Sequence, residues 1–253
     1  MTRLLRAEFT KLFTTRLWLW LLLGAIGMTV LIIGLTIGLS GSPGNPNPPL
    51  TSPAGQRNLF ASAAASSPLA VVLGIVAMTG EYRHETVTPT FLATPRRGRV
   101  VMAKLIAYAV AGLGFGCVNV LATIALALPW LSAKHIDISL TTIGLPRTLI
   151  GVVLGLAVYT VLGVGIGALL RNQVAAIVGT LIYLFVIEGL VAALPRIRDY
   201  YKYLPGGAFN GLVNNYQANV QYLAGWAAGL LLLAYGVAFA TLGTTLAVRR
   251  DVT

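Results

Sequence analysis

Long apolar runs separated by short polar interruptions dominate the pattern along this chain. Residues 17–39 carry no charge across 23 positions. A helix rising about 1.5 Å per residue needs around 20 residues to cross roughly 30 Å of hydrocarbon. Six runs meet that length, near 17–39, 61–80, 101–130, 148–170, 174–194 and 224–247. Glu188 is the one charge inside the fifth. Backbone groups in lipid must be bonded within their own segment. Runs this long therefore suit helices and not barrel strands of about ten alternating residues. The pattern predicts an all-α integral membrane protein, a single transmembrane domain over 1–253 with six transmembrane helices.

Composition agrees. The chain is 57% hydrophobic and 10% charged, against about 25% charged in soluble domains. A soluble core of this size could not hide so much apolar surface. The basic start before residue 17 resembles a leader, but the run behind it is long enough to span, so we read it as a retained helix. Cys117 has no cysteine partner, and inside an apolar run it reads as a small buried hydrophobe.

The charge balance of +11 is better explained by topology than by nucleic acid, because the charges lie at the ends of apolar runs. Six spans put both termini on one side. With the N-terminus inside, twelve basic residues face inward: Arg3, Arg6, Lys11, Arg16, Arg83, Arg96, Arg97, Arg99, Lys104, Arg171, Arg249 and Arg250. Six face outward: Arg57, Lys134, Arg147, Arg196, Arg198 and Lys202. This bias predicts both termini in the cytoplasm.

The connections differ in character. Residues 40–60 are rich in Gly, Pro, Ser and Asn and read as an irregular external loop. Residues 195–223 are too polar to cross and too apolar for a free linker. They predict short helices lying at, or dipping into, the outer face. In residues 2–16, Leu5, Phe9, Leu12 and Phe13 fall within about 100° on a helix. That suits a helix on the inner membrane surface; a solvated basic flank is the simpler alternative.

The most charged interruption is GEYRHETVTPTFLATPRRGRVVMAK, residues 80–104. Thr88-Pro89 and Thr94-Pro95 each combine an N-cap residue with proline at the first helical position. The residue before a proline resists helical angles. The chain should therefore break, form a short helix over about 89–93, break again, and start the third span's helix at Pro95. Arg96, Arg97 and Arg99 then lie where lipid phosphates would be, a lipid-interface role worth about 1 kcal/mol each near anionic lipid. Lipid anchoring accounts for the arginines alone. Docking of a cytoplasmic partner on Glu81, Arg83, Glu85, Phe91 and Leu92 accounts for the rest of the segment.

Catalysis finds no support. There is no G-x-x-x-x-G-K-[ST] loop, and His84 and His135 are far apart without cysteine or histidine partners. No catalytic, cofactor-binding or metal residue is assigned, and no nucleic-acid motif occurs. Two intramembrane polar residues are candidates for a substrate path, Glu188 and Asn119. A carboxylate at mid-bilayer costs roughly 2.5–3.5 kcal/mol and usually faces protein or water. Glu188 therefore either lines a path favouring cations or is a hydrogen-bonded structural group. Asn119 is read in the same two ways. Glycine pairs four apart, at 34–38, 151–155, 163–167 and 225–229, permit close helix contact.

Two motifs carry a resemblance to a known family: AEFTKLFTTRLWLW, with Glu8, Lys11 and Arg16, and the 80–104 segment. LLRNQ (169–173) and YLPGGA (203–208) add to it. The sequence resembles the type-2 membrane subunit, or permease, of ATP-binding cassette transporters, particularly actinobacterial exporters. The resemblance implies an interfacial elbow helix over 2–16, a coupling helix near 86–95 and re-entrant helices between spans five and six. It also implies a bacterial cytoplasmic membrane location. The partners it implies are a cytoplasmic ATPase subunit in two copies, which binds the ATP and magnesium, a second permease of the same or a related chain, and membrane lipids. Drug-like or amphiphilic substrates follow by the same analogy. A stand-alone secondary carrier or channel would show more intramembrane charge or paired repeats. An intramembrane enzyme or a membrane scaffold subunit is the third reading.

Overall fold

The computed structural model describes residues 1–40, 42, 45, 47–83, 97–136, 144–215 and 220–250; side chains of 97 and 244–250 are excepted. Among the described residues there is no strand, and six helices are long and apolar enough to cross a membrane: Leu17–Gly38, Pro53–Arg83, Gly98–Ala133, Leu145–Leu170, Gln173–Ala193 and Gly225–Gly243. A separate helix, Thr2–Thr14, precedes them. It ends because Thr15 turns extended (φ −90°, ψ 137°), and the first span restarts at Leu17 behind Arg16.

The second span starts earlier than the apolar run suggested. Residues 53–60, expected within an irregular loop, belong to the helix Pro53–Ala61. Ser52 caps it by accepting from the Gly55 N–H at 3.1 Å, with Pro53 at the first position. A 3-10 turn, Ser62–Ser66, joins this piece to Ser67–Arg83. The third helix, Arg97–Ala133, carries Pro129 near its end. The expected short helices between the fifth and sixth spans are present as Arg198–Tyr203 and Pro205–Val213.

The fourth span is the axis of the bundle. It is two-thirds buried, and the second, third and sixth spans pack around it. Glycine permits the approach. A Cβ at Gly163 would meet the Val71 carbonyl oxygen at 2.1 Å, and one at Gly74 the Thr160 carbonyl oxygen at 2.0 Å. Of the glycine pairs, 151–155 and 163–167 thus pack within the chain. Gly34 and Gly38 meet nothing within 4 Å.

The first and fifth spans are the least buried of the six. Their exposed Leu31, Leu35, Val174, Phe185 and Leu190 suit hydrocarbon as solvent. Trp20, Trp130 and Trp226 are exposed near span ends, where amphipathic rings are favoured. Cys117, expected to be buried, is exposed on the third span.

Candidate functional site

Among the described residues, two assemblies built around charged side chains interrupt the apolar bundle, one at each end. The first lies at the end that carries Arg16, Arg83 and Arg171. It is a closed ring of four charges. Lys11 Nζ donates to Glu8 Oε1 at 2.9 Å and to Glu81 Oε1 at 2.7 Å. Lys104 Nζ donates to Glu81 Oε1 at 3.0 Å, to Glu8 Oε2, and to the Ala77 carbonyl at 3.1 Å. Glu8, Glu81 and Lys104 are almost fully buried, whereas the Lys11 side chain is 42% exposed. The Tyr108 ring lies 5.7 Å from Lys104 Nζ, adding a cation–π contact.

The ring follows from helix geometry. On Thr2–Thr14, residues Leu5, Glu8 and Leu12 are spaced by three and four and share a face. Leu12 is buried, and Leu5 and Phe9 pack against the core. Glu8 is therefore carried inward with them. Phe13, expected on the same face, is 60% exposed; it stacks on Phe9 at 6.4 Å and meets Trp18 edge-on at 5.3 Å. Buried charges persist only when paired and hydrogen-bonded. Here two acids and two bases close on each other. For Lys11, burial alone would push the ammonium pKa down. Hydrogen bonds to Glu81 and Glu8, with their charges, outweigh it and leave the pKa raised.

The second assembly surrounds Glu188 at the opposite end. Glu188 is 2% exposed, and its two oxygens accept from the Gly206 N–H at 3.0 and 2.8 Å. The Gly207 N–H and the Tyr183 hydroxyl lie near it as well. It thereby caps the start of Pro205–Val213, where unpaired N–H groups favour an anion. Glycine is required here: a Cβ at Gly206 would meet Glu188 Oε2 at 2.2 Å, and one at Gly207 the Tyr201 carbonyl oxygen at 1.8 Å. The five residues Tyr183–Ile187 form a π-turn just before Glu188. Tyr201 accepts from Asn210 Nδ2 at 3.0 Å. Burial, with the Glu188 charge, pushes its hydroxyl up to about 12 against the Asn210 hydrogen bond. A cavity of about 460 Å³ opens beside this assembly, lined by Glu188, Tyr201, Asn210, Asn58, Tyr159 and Phe185 among others. That volume is within the range of small-molecule sites, roughly 300–1,000 Å³.

The residues singled out from sequence are distributed as follows. Glu81, expected at an exposed docking face, turns inward into the ion ring, where two lysines hold its carboxylate. Arg83 is exposed, and its Nη1 reaches Gln173 Oε1 at 3.5 Å. Glu85, Phe91, Leu92 and Arg96 lie outside the described residues. Arg97 opens the third helix, and Arg99 is exposed on its first turn. Glu8 and Lys11 form half of the ring, while Arg16 is exposed between two helices. Glu188 is a hydrogen-bonded cap and also lines the cavity. Asn119 is not part of that cavity. Its Oδ1 accepts from Thr29 at 3.2 Å and its Nδ2 donates to the Phe115 carbonyl at 2.8 Å. The interhelical reading is the one its geometry supports.

Lys104 is the residue whose role the sequence reading missed. In the sequence it counts among the basic residues of the inner surface, but it lies two turns inside an apolar helix. A lysine there needs an acid, and Glu8 on an apolar helical face was the available signal.

Residues 4–187 match a family model described as ABC-2 family transporter protein. Among curated proteins, none matches the chain.

Proposed function

This chain belongs to the ABC-2 transporter family, and from that premise we propose that it is the permease of an ATP-driven exporter. In this reading it works with separate cytoplasmic ATPase subunits, two copies, that bind ATP and magnesium. A second permease, the same or a related chain, completes the path. Both termini are cytoplasmic, in keeping with the twelve-to-six bias of basic residues. The membrane is the bacterial cytoplasmic membrane. Arg196, Arg198 and the cavity beside Glu188 then lie at the outer end, where Arg198–Tyr203 and Pro205–Val213 are re-entrant helices.

The observation that carries the reading is the ion ring. Residues 84–96 connect the second span to the third helix, and both of those helices enter the ring, through Glu81 and Lys104. The N-terminal helix enters it through Glu8 and Lys11. A push delivered at about residues 81–95 by an ATPase would therefore reach three helices as one body. Glu81 serves this coupling from within, by holding the base of the segment. Arg83, Glu85, Phe91 and Leu92 remain the docking residues. The cavity supports a substrate of small-molecule size, amphiphilic or drug-like, and the buried carboxylate supports a preference for cations.

The test is detergent co-purification of the chain with candidate ATPase subunits, comparing wild type with Phe91→Asp. Loss of association in Phe91→Asp, with the permease still folded, is the expected result. Intact association, or transport by the wild type without any ATPase, would overturn the coupling assignment. Glu81→Lys is the less clean variant, because it places three cations in one buried ring.

A further inference from the structure

The ion ring closes one wall of a second pocket, of about 620 Å³, and we infer that this pocket binds the head of an anionic phospholipid. It lies between the N-terminal helix, the start of the first span and the last turns of the second. One end of its lining is polar, with Lys11, Arg83 and Gln173; the other is apolar, with Trp18, Leu73 and Val76. That division matches an amphiphile whose head sits at the membrane border and whose chains enter hydrocarbon.

Charge selects the head. Within the ring, Glu8 and Glu81 balance Lys11 and Lys104, so the pocket's excess charge is that of Arg83. Among the described residues Arg83 faces no carboxylate, and its contact to Gln173 is long, at 3.5 Å. An ammonium has three N–H donors, and Lys11 uses two on Glu8 and Glu81. Its third donor and the Arg83 guanidinium border the same space. A phosphate satisfies both, and guanidinium is well matched to it. A cationic amphiphile would meet Arg83 with like charge, and Glu81 is already held by two lysines. On the orientation proposed above the ligand belongs to the inner leaflet, but a lipid nanodisc offers both faces, so the binding test stands whichever way the chain is inserted.

Trp18 lines the pocket and reports on it. The probe is the full chain with Trp20→Phe, Trp130→Phe and Trp226→Phe, placed in phosphatidylcholine nanodiscs containing brominated phosphatidylglycerol or brominated phosphatidylcholine. Bromine should quench Trp18 severalfold more strongly when carried by phosphatidylglycerol. Two variants locate the effect. Arg83→Gln removes the excess charge. Gly80→Leu fills the pocket without changing charge, since a Cβ at Gly80 meets nothing within 4 Å. Both should abolish the preference while the helical spectrum is retained. Equal quenching by the two lipids would overturn the proposal. So would a preference that survives Gly80→Leu, which would mean attraction to the basic surface at large. Abolition of the preference by inorganic phosphate would mark an anion site without lipid selectivity and overturn it equally.

Discussion

Glu8 and Lys104, 96 positions apart in the chain, form a buried ion pair that joins the N-terminal helix to the third helix. Each then reaches Lys11 or Glu81, closing the ring. Lys104 has a 2% exposed side chain and no solvent to fall back on. Removing one partner of a buried pair typically costs about 3–5 kcal/mol, because the survivor is left uncompensated. Lys104→Met should therefore lower thermal stability in detergent strongly, with Glu8 and Glu81 then sharing Lys11 alone. Adding Glu8→Gln to it should restore part of the loss. A Lys104→Met protein that melts with wild type would remove the ring from any account of stability.

Glycines of the fourth and first spans fall into two classes that the same assay separates. Gly163→Ala puts a methyl against the Val71 backbone. Overpacking of this kind costs about 1–3 kcal/mol. Gly34→Ala meets open space and should be neutral or slightly stabilising, since alanine is favoured over glycine in helices by roughly 0.5–1 kcal/mol. Equal melting temperatures for the two variants would count against this packing of the fourth span.

At the opposite end, Glu188→Gln keeps an acceptor for the Gly206 N–H, whereas Glu188→Ala leaves buried donors without one. An unsatisfied buried group costs about 1–3 kcal/mol, so the alanine variant should be the less stable. The glutamine variant then isolates charge. Normal assembly with reduced transport of a cationic substrate is the expected outcome; unchanged transport would confine Glu188 to capping.

Two groups outside the spans set an alkaline limit. Lys11 and Tyr201 both have folded pKa values above their ordinary ones. The fold therefore favours the protonated form of each. Its contribution is complete below the ordinary value and fades as pH rises through the folded one. For Tyr201 the window runs from 10.0 to about 12; for Lys11 it opens at 10.5. Tyrosinate absorbance of wild type minus Tyr201→Phe should show a component titrating near the top of that window. A component titrating at the ordinary tyrosine value would contradict the buried hydroxyl.

The order of helices was legible because each span is a near-continuous apolar run, and lipid leaves helices as the way to satisfy such backbone. The start of the second span was not, because Gln56, Arg57 and Asn58 interrupt hydropathy there. Yet Ser52-Pro53 is the same cap-and-proline signal that Thr88-Pro89 and Thr94-Pro95 carry, and it could have been read in the same way. The ion ring was half legible. Each charge was visible, but pairing depends on which helices touch, and hydropathy is silent on that. Glu188 was recognisable as an outlier in an apolar run. Its partners were not, because backbone N–H groups at a helix start have no residue signature beyond the Pro-Gly-Gly that exposes them.

The π-turn at Tyr183–Ile187 has a consequence for how the fifth span is phased. Such a turn is one extra residue absorbed into an α-helix, and each residue advances the helix by about 100°. The span is thus two helical segments in different rotational registers, with Glu188 opening the second. Deleting a single residue within 183–187 would leave a continuous apolar helix, still long enough to span. It would leave the carboxylate on the Gly206 side, whereas drawing the turn into regular α-helix with every residue kept would rotate it by about 100°. The address of the far-end cavity is therefore written in the width of one turn as much as in residue identity, and losing that turn's extra width without losing a residue reads as a change of face.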